Sequence, residues 1–134
     1  MKLALSTTLQ TSFDDAVSRT RAALQEQGFG VLTEIDMQAT LKAKIGADME
    51  RYLILGACNP PLAHRAVEVN RQIGLLLPCN VIVREAPSGE GTVLVEAMNP
   101  QLMVQVTDQA ELEGVAEDAG RRLQAAIDAL AAAG

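Results

Sequence analysis

Rings are scarce in this chain: Phe13, Phe29 and Tyr52 are its only aromatic residues, and it has no tryptophan. Three rings cannot assemble the stacking platforms that hold bases, flavins or sugars, so the core has to be built from Leu, Val, Ile, Ala and Met. Histidine is scarcer still. With His64 alone, histidine-rich metal sites and serine–histidine triads have little room. Cysteine occurs twice, at Cys58 and Cys79. Two thiols make no disulfide scaffold, which places the chain in a reducing cytoplasm. Basic residues number 11 against 17 acidic ones, for a formal net charge of −6. That balance argues against nucleic acid, whose phosphates need Lys and Arg, and against anionic membrane surfaces. No run reaches the ~18 apolar residues of a bilayer span. The start, Met1 to Leu9, reads as a strand and not as a secretory signal. A phosphate-binding glycine loop, a Gly-x-Ser-x-Gly elbow and a His-Glu-x-x-His helix are all missing.

What is present is a high apolar share, 49% over 134 residues, enough for one compact domain (1–134) with a substantial core. Leu3–Leu9 is β-compatible. Thr11 and Ser12 are N-cap residues for a helix with Asp14 and Asp15 in its first turn. Its inward face carries Phe13, Ala16, Val17, Thr20, Ala23 and Leu24 at helical spacing, and Gly28 stops it. A second strand covers Phe29–Ile35, and Asp36 caps a short helix, Met37–Ile45, ended by Gly46. The apolar run Tyr52-Leu53-Ile54-Leu55 reads as a central strand buried on both faces. Asn59-Pro60-Pro61 then starts a helix expected to reach Ile73, with Leu62, Ala66, Val69 and Ile73 inward. Asn80–Glu85 and Thr92–Ala97 form a hairpin around the turn residues Ala86–Gly91. A last helix, about 108–132, opens at Thr107 or Asp108 and carries the stripe Leu112, Val115, Ala119, Leu123, Ala126, Ile127 and Leu130.

The order βαβ(α)βαββα predicts an α+β fold, a two-layer α/β sandwich with helices mainly on one face of a largely antiparallel or mixed sheet. Strands apolar on both sides with helices enough for one predict a homodimer that buries the second face.

Chemistry has a few candidate places. Cys58 lies just before a helix N-terminus, whose partial positive charge could lower its thiol pKa and make a nucleophile or soft-metal ligand. His64, in the first turns of the same helix, could activate it. The plain alternative is a packed thiol and a solvated histidine. A simple right-handed βαβ crossover would put Cys58 and Cys79 at opposite sheet ends, roughly 20 Å apart, too far for a disulfide, which needs Cα atoms within about 7 Å, unless Leu75-Leu76-Leu77 brings the chain back again. Their spacing matches no standard zinc pattern, so metal binding by Cys58 and Cys79 is a weak signal. Glu34 and Asp36 alternate around Ile35 and project from one strand face. They are either a coupled carboxylate pair or a solvated edge with Asp36 spent on capping. Lys42 and Lys44 could answer them or hold an anion.

Three blocks carry a family likeness: Gly28 to Asp36, Leu53 to His64 and Gly74 to Val83. In this order they closely resemble the domain-of-unknown-function 302 family over roughly residues 1–105, and the last helix looks like that family's C-terminal extension. The resemblance implies a small bacterial or archaeal α/β protein, homodimeric, with Glu34, Asp36, Cys58, Asn59, Pro60, Pro78, Cys79 and Asn80 on the family pattern. It names no reaction and no cofactor. Three readings follow. The first is a dimeric ligand-binding or interaction module taking a small-molecule ligand, with Glu34, Asp36, Lys42, Asn59, Pro60 and Asn80 about the Cys-Asn-Pro helix start. The second is a thiol-dependent enzyme or redox sensor using Cys58. The third is a soft-metal or metallocofactor carrier using Cys58 and Cys79.

Overall fold

The computed structural model describes residues 2–87 and 91–133. Five strands form one sheet: β1 (Ala4–Gln10), β2 (Gly30–Asp36), β3 (Tyr52–Cys58), β4 (Cys79–Glu85) and β5 (Thr92–Met98). Their spatial order is β1-β5-β4-β3-β2, with every neighbouring pair antiparallel. The helices are α1 (Phe13–Glu26), α2 (Met37–Ile45), α3 (Pro60–Val69), α4 (Gln101–Thr107) and α5 (Glu113–Ala133), with 3-10 turns at Arg71–Leu76 and Ala110–Leu112. The architecture is the expected α+β two-layer sandwich. Of the turn expected at 86–91, residues 88–90 lie outside the described residues. Among the described residues no helix is long and apolar enough to cross a membrane.

Local chemistry accounts for most element starts. Ser12 accepts the Asp15 N–H, Asp36 accepts the Ala39 N–H and Asn59 accepts the Leu62 N–H, each a side-chain N-cap that satisfies an otherwise orphaned donor. Pro60 opens α3, where a missing N–H costs nothing.

Alternation then sorts the strands. Leu9, Leu55, Val81, Val83, Val93, Val95 and Ala97 point to one face and are buried. That face meets α1 and the C-terminal half of α5, through Phe13, Ala16, Leu24, Leu123, Ala126, Ile127 and Leu130. The opposite face is mixed. Ile35 is exposed, while Tyr52, Ile54, Ile82, Leu94 and Met98 are only partly buried. Arg84 and Glu96 form an ion pair at 2.7 Å between β4 and β5. The run at Tyr52–Leu55 is therefore not buried on both faces, since only Leu55 is fully covered.

A second apolar cluster sits apart from the sheet. It joins Leu62 and Ala66 of α3, Ile73, Met103 of α4, Leu112, and Val115, Ala116 and Ala119 at the start of α5. The 21-residue α5 belongs to both clusters and ties them together.

Two element boundaries depart from the sequence pattern. The helix after Asn59 stops at Val69, because Asn70 is extended (φ −153°) and its side chain instead accepts the Gln72 N–H, opening the 3-10 turn. Ile73 stays buried, so its apolar spacing is satisfied by a different backbone. The last helix begins at Glu113. Before it, α4 ends at Asp108, whose left-handed φ of 55° breaks the helical path.

Candidate functional site

The end of the sheet at which β3 finishes and β4 begins carries the most distinctive geometry. Antiparallel pairing sets Cys79 directly opposite Ala57, one residue from Cys58. The two cysteines therefore share one end of the sheet, which corrects the placement at opposite ends. The crossover expected from sequence does not occur. α3 is only ten residues long, packs on α5 and the following 3-10 turn, and returns the chain to the end it left. Arg65 of α3 reaches Asp118 of α5 at 3.7 Å and helps hold that position.

Between the two apolar clusters, at this end, lies a cavity of about 260 Å³. Its sheet side is made by Phe29, Ala57, Cys58 and Cys79. Leu62, Ala63 and Ala66 of α3 form one wall, with Met103, Val115 and Ala119 opposite. Leu32 and Pro78 lie at its margin, and Leu32 is 67% exposed although apolar. The β2–β3 register shifts between Val31 and Thr33, a bulge that leaves Leu32 out of the ladder and turned to this mouth. Asn59 is the polar side chain of the lining. It is 8% exposed, and its Oδ1 is already used by the Leu62 N–H at 3.3 Å. Gly28 adopts a left-handed φ of 84°, and a Cβ there would come within 2.9 Å of Asn59 Nδ2. A side chain at 28 would thus push on the residue that starts α3.

The two thiols differ in surroundings. Cys58 is partly exposed and Cys79 is 6% exposed. Burial pushes the Cys79 thiol from its ordinary 9.0 up to about 11, and the neighbouring Cys58 adds to the rise. Both are free thiols. Among the described residues no three His, Cys, Asp or Glu side chains come together as a metal site requires. A zinc centre would need more protein ligands than the two sulfurs here.

The remaining sequence candidates lie elsewhere. Asp36 pairs with Leu53, at the far end of β2 from Gly30 and Cys58, and its carboxylate caps α2. Glu34 is exposed and bound to Arg21 at 2.7 Å. Lys42 pairs with Asp48 at 2.7 Å. These three are not gathered around the Cys-Asn-Pro start, because β2 carries Glu34 and Asp36 along its length away from that end and Lys42 follows on α2. His64 is 75% exposed and faces Glu68 at 3.3 Å, so it is turned from the cavity and not toward Cys58. Pro60 is exposed beside Asn59. Asn80 is exposed on the opposite sheet face, by Ile82 and Glu96.

Sequence reasoning missed the cavity walls. Leu62, Ala66, Val115 and Ala119 carried a signal, but it was the signal of any core stripe. Met103 was recoverable in part. Asn99-Pro100 followed by Leu102, Met103 and Val104 is a helix start, and Asn99 Oδ1 accepts the Gln101 N–H at 3.0 Å.

Comparison with known proteins gives a consistent picture. No curated protein matches the chain. The family described as "Domain of unknown function DUF302" matches residues 5–130, so the likeness extends through α5 instead of stopping near residue 105. Among solved structures, the crystal structure of uncharacterized conserved protein DUF302 from Bacillus stearothermophilus is 28% identical, with a TM-score of 0.86. The similarity covers 96% of this chain and 98% of that one. On a family match spanning nearly its whole length, the chain belongs to the domain-of-unknown-function 302 family.

Proposed function

We propose that this protein is a binding module for a small, predominantly apolar molecule, held in the cavity at the Cys58–Cys79 end of the sheet. The observation that carries this reading is the lining itself, built among the described residues from Ala, Leu, Met, Val, Phe, Pro and thiol groups with Asn59 as its polar side chain, whose Oδ1 serves the α3 cap. Apolar pockets take apolar guests, and an engineered cavity of about 150 Å³ holds benzene. At about 260 Å³ this one has room for a larger molecule. Thr, Ser, Lys and Arg are missing from its lining, which disfavours a phosphate or a sugar. Leu32, exposed at the margin, supplies apolar surface that a bound molecule would cover.

Thermal unfolding in the presence of indole, cyclohexane and phenol tests the reading. A molecule that binds only the folded state at a hundred times its Kd adds about 2.7 kcal/mol. Ala63 is partly exposed, so Ala63→Leu can enter the cavity without overfilling the core. That variant is expected to keep its own Tm and lose the ligand-induced rise. Equal rises in both proteins, or none in either, would contradict the site.

The module is proposed to work as a homodimer in a reducing cytoplasm. The sheet face away from α1 and α5 presents Ile35, Ile54, Ile82, Leu94 and Met98 around the Arg84–Glu96 pair. Partly exposed apolar surface of this kind favours association. Sedimentation at micromolar concentration is expected to give about twice the 14.2 kDa chain mass. Ile54→Lys, with a charge in the middle of that face, is expected to shift the protein to monomer. A wild-type monomer at these concentrations would remove this part of the account.

A further inference from the structure

Asn59 is the polar side chain of the cavity lining, and one end of its amide is committed. Oδ1 accepts the Leu62 N–H at 3.3 Å, as the cap of α3. A backbone N–H needs an acceptor, and the amide has one only in its oxygen. The cap therefore fixes the orientation of the group and turns Nδ2 the other way. Among the described residues Nδ2 has no hydrogen-bond partner. Its surroundings on that side do not supply one. Gly28, whose Cβ would stand 2.9 Å from Nδ2, has no side chain to offer. Arg122 Nη1, 4.0 Å from the same point, is a donor without a lone pair.

Every fully enclosed side-chain nitrogen or oxygen among the described residues is paired. An unpaired Nδ2 on a residue only 8% exposed thus keeps a small opening, and the cavity is the space that Asn59 lines. A donor held ready at an apolar cavity asks for an acceptor on the guest.

We propose that the cavity takes a small apolar carbonyl compound, a ketone or ester, whose oxygen accepts a hydrogen bond from Asn59 Nδ2. The proposal rests on the reading of the cavity as a site for small apolar molecules and names the polar group such a molecule carries. A carbonyl oxygen accepts and has no proton of its own to place. An alcohol could accept from Nδ2 as well, but its O–H would meet no free strong acceptor among the lining side chains, since Asn59 Oδ1 is spent. A carboxylate would enter without a counter-charge, because neither Lys nor Arg lines the cavity, and an unpaired buried charge is costly. With the uncharged carbonyl, one bond serves both the guest oxygen and the open donor. The cap holds that donor in place before the guest arrives, so little freedom is lost on binding.

Acetophenone and α-methylstyrene test the proposal, because they share a shape and differ in C=O against C=CH2. Both are expected to bind the full-length protein, read by shifts of the Ala66 and Met103 methyl signals in the cavity wall. The Asn59 side-chain amide, followed by NMR in an isotope-labelled sample, is expected to move downfield with acetophenone and to stay in place with α-methylstyrene. Asn59→Asp keeps an oxygen for the cap and removes both N–H donors. This variant is expected to lose about tenfold in affinity for acetophenone and to hold α-methylstyrene within about twofold of wild type. Binding of both compounds with no amide response to the ketone, or an equal loss of both in Asn59→Asp, would overturn the carbonyl class while leaving the cavity reading intact. Binding of neither would take the cavity reading down, and the carbonyl class with it. The amide response of wild type depends on no variant folding.

Discussion

Leu123→Ala is expected to lower the unfolding free energy by about 2–5 kcal/mol, read as a shift in the denaturant midpoint at unchanged slope. Leu123 is fully buried where α5 meets the sheet and α1. Truncation removes its transfer free energy and leaves a void that the surrounding cluster can fill only in part. The position also lies on the element shared by both apolar clusters. One turn earlier, Ala119 already belongs to the cluster that walls the cavity. Loosening α5 at 123 is therefore expected to weaken binding at the cavity as well as global stability. A loss under half a kcal/mol would mean that α5 is peripheral to the fold.

The second large effect is expected at Gly56, in the middle of three strands. A Cβ there would fall 2.1 Å from Thr33 Oγ1 on β2 and 2.7 Å from Pro78 Cγ at the entry to β4. Real Cβ contacts do not come so close, so Gly56→Ala has to displace a strand neighbour. Overfilling of this kind costs about 1–3 kcal/mol. Thr33 can rotate, but Pro78 is a ring fixed in the chain just before Cys79. The displacement should thus be felt at the cavity margin. Gly56→Ala combined with Thr33→Ala, which removes Oγ1, tests which neighbour resists. If Pro78 is the stiff one, the second substitution recovers little. Full recovery would place the whole strain on Thr33.

How far sequence alone reached follows from whether each signal is local. Ser12, Asp36 and Asn59 could be read as caps because an N-cap needs only its own side chain and the next turn. Alternation in β4 and β5 was equally legible, since it records one buried face. The direction of β4 relative to β3 was not. It depends on whether α3 crosses the sheet or packs on α5, and that is decided by partners such as Asp118 for Arg65, more than fifty residues away. The later start of α5 was hidden because Leu112, Val115 and Ala119 keep helical spacing, although Ala110–Leu112 forms a 3-10 turn and the helix opens only at Glu113. The cavity was hidden for a related reason. An alanine facing empty space and an alanine facing a leucine occupy the same place in a periodic pattern. Of the polar candidates, Glu34, Asp36 and Lys42 have local partners, and those partners account for them. The placement of Cys58 and Cys79 at one end of the sheet became visible only with the register.

The central claim is that the cavity beneath α3 admits small apolar molecules. Methyl-resolved NMR of protein labelled at alanine and methionine reads it directly. Ala57, Ala63, Ala66, Ala119 and Met103 line the cavity, while Ala4, Ala23 and Met37 lie away from it. On titration with indole the first set is expected to shift together along one saturating curve, and the second set is expected to stay in place. Shifts spread over both sets, or confined to the opposite sheet face near Ala4 and Met98, would contradict the account.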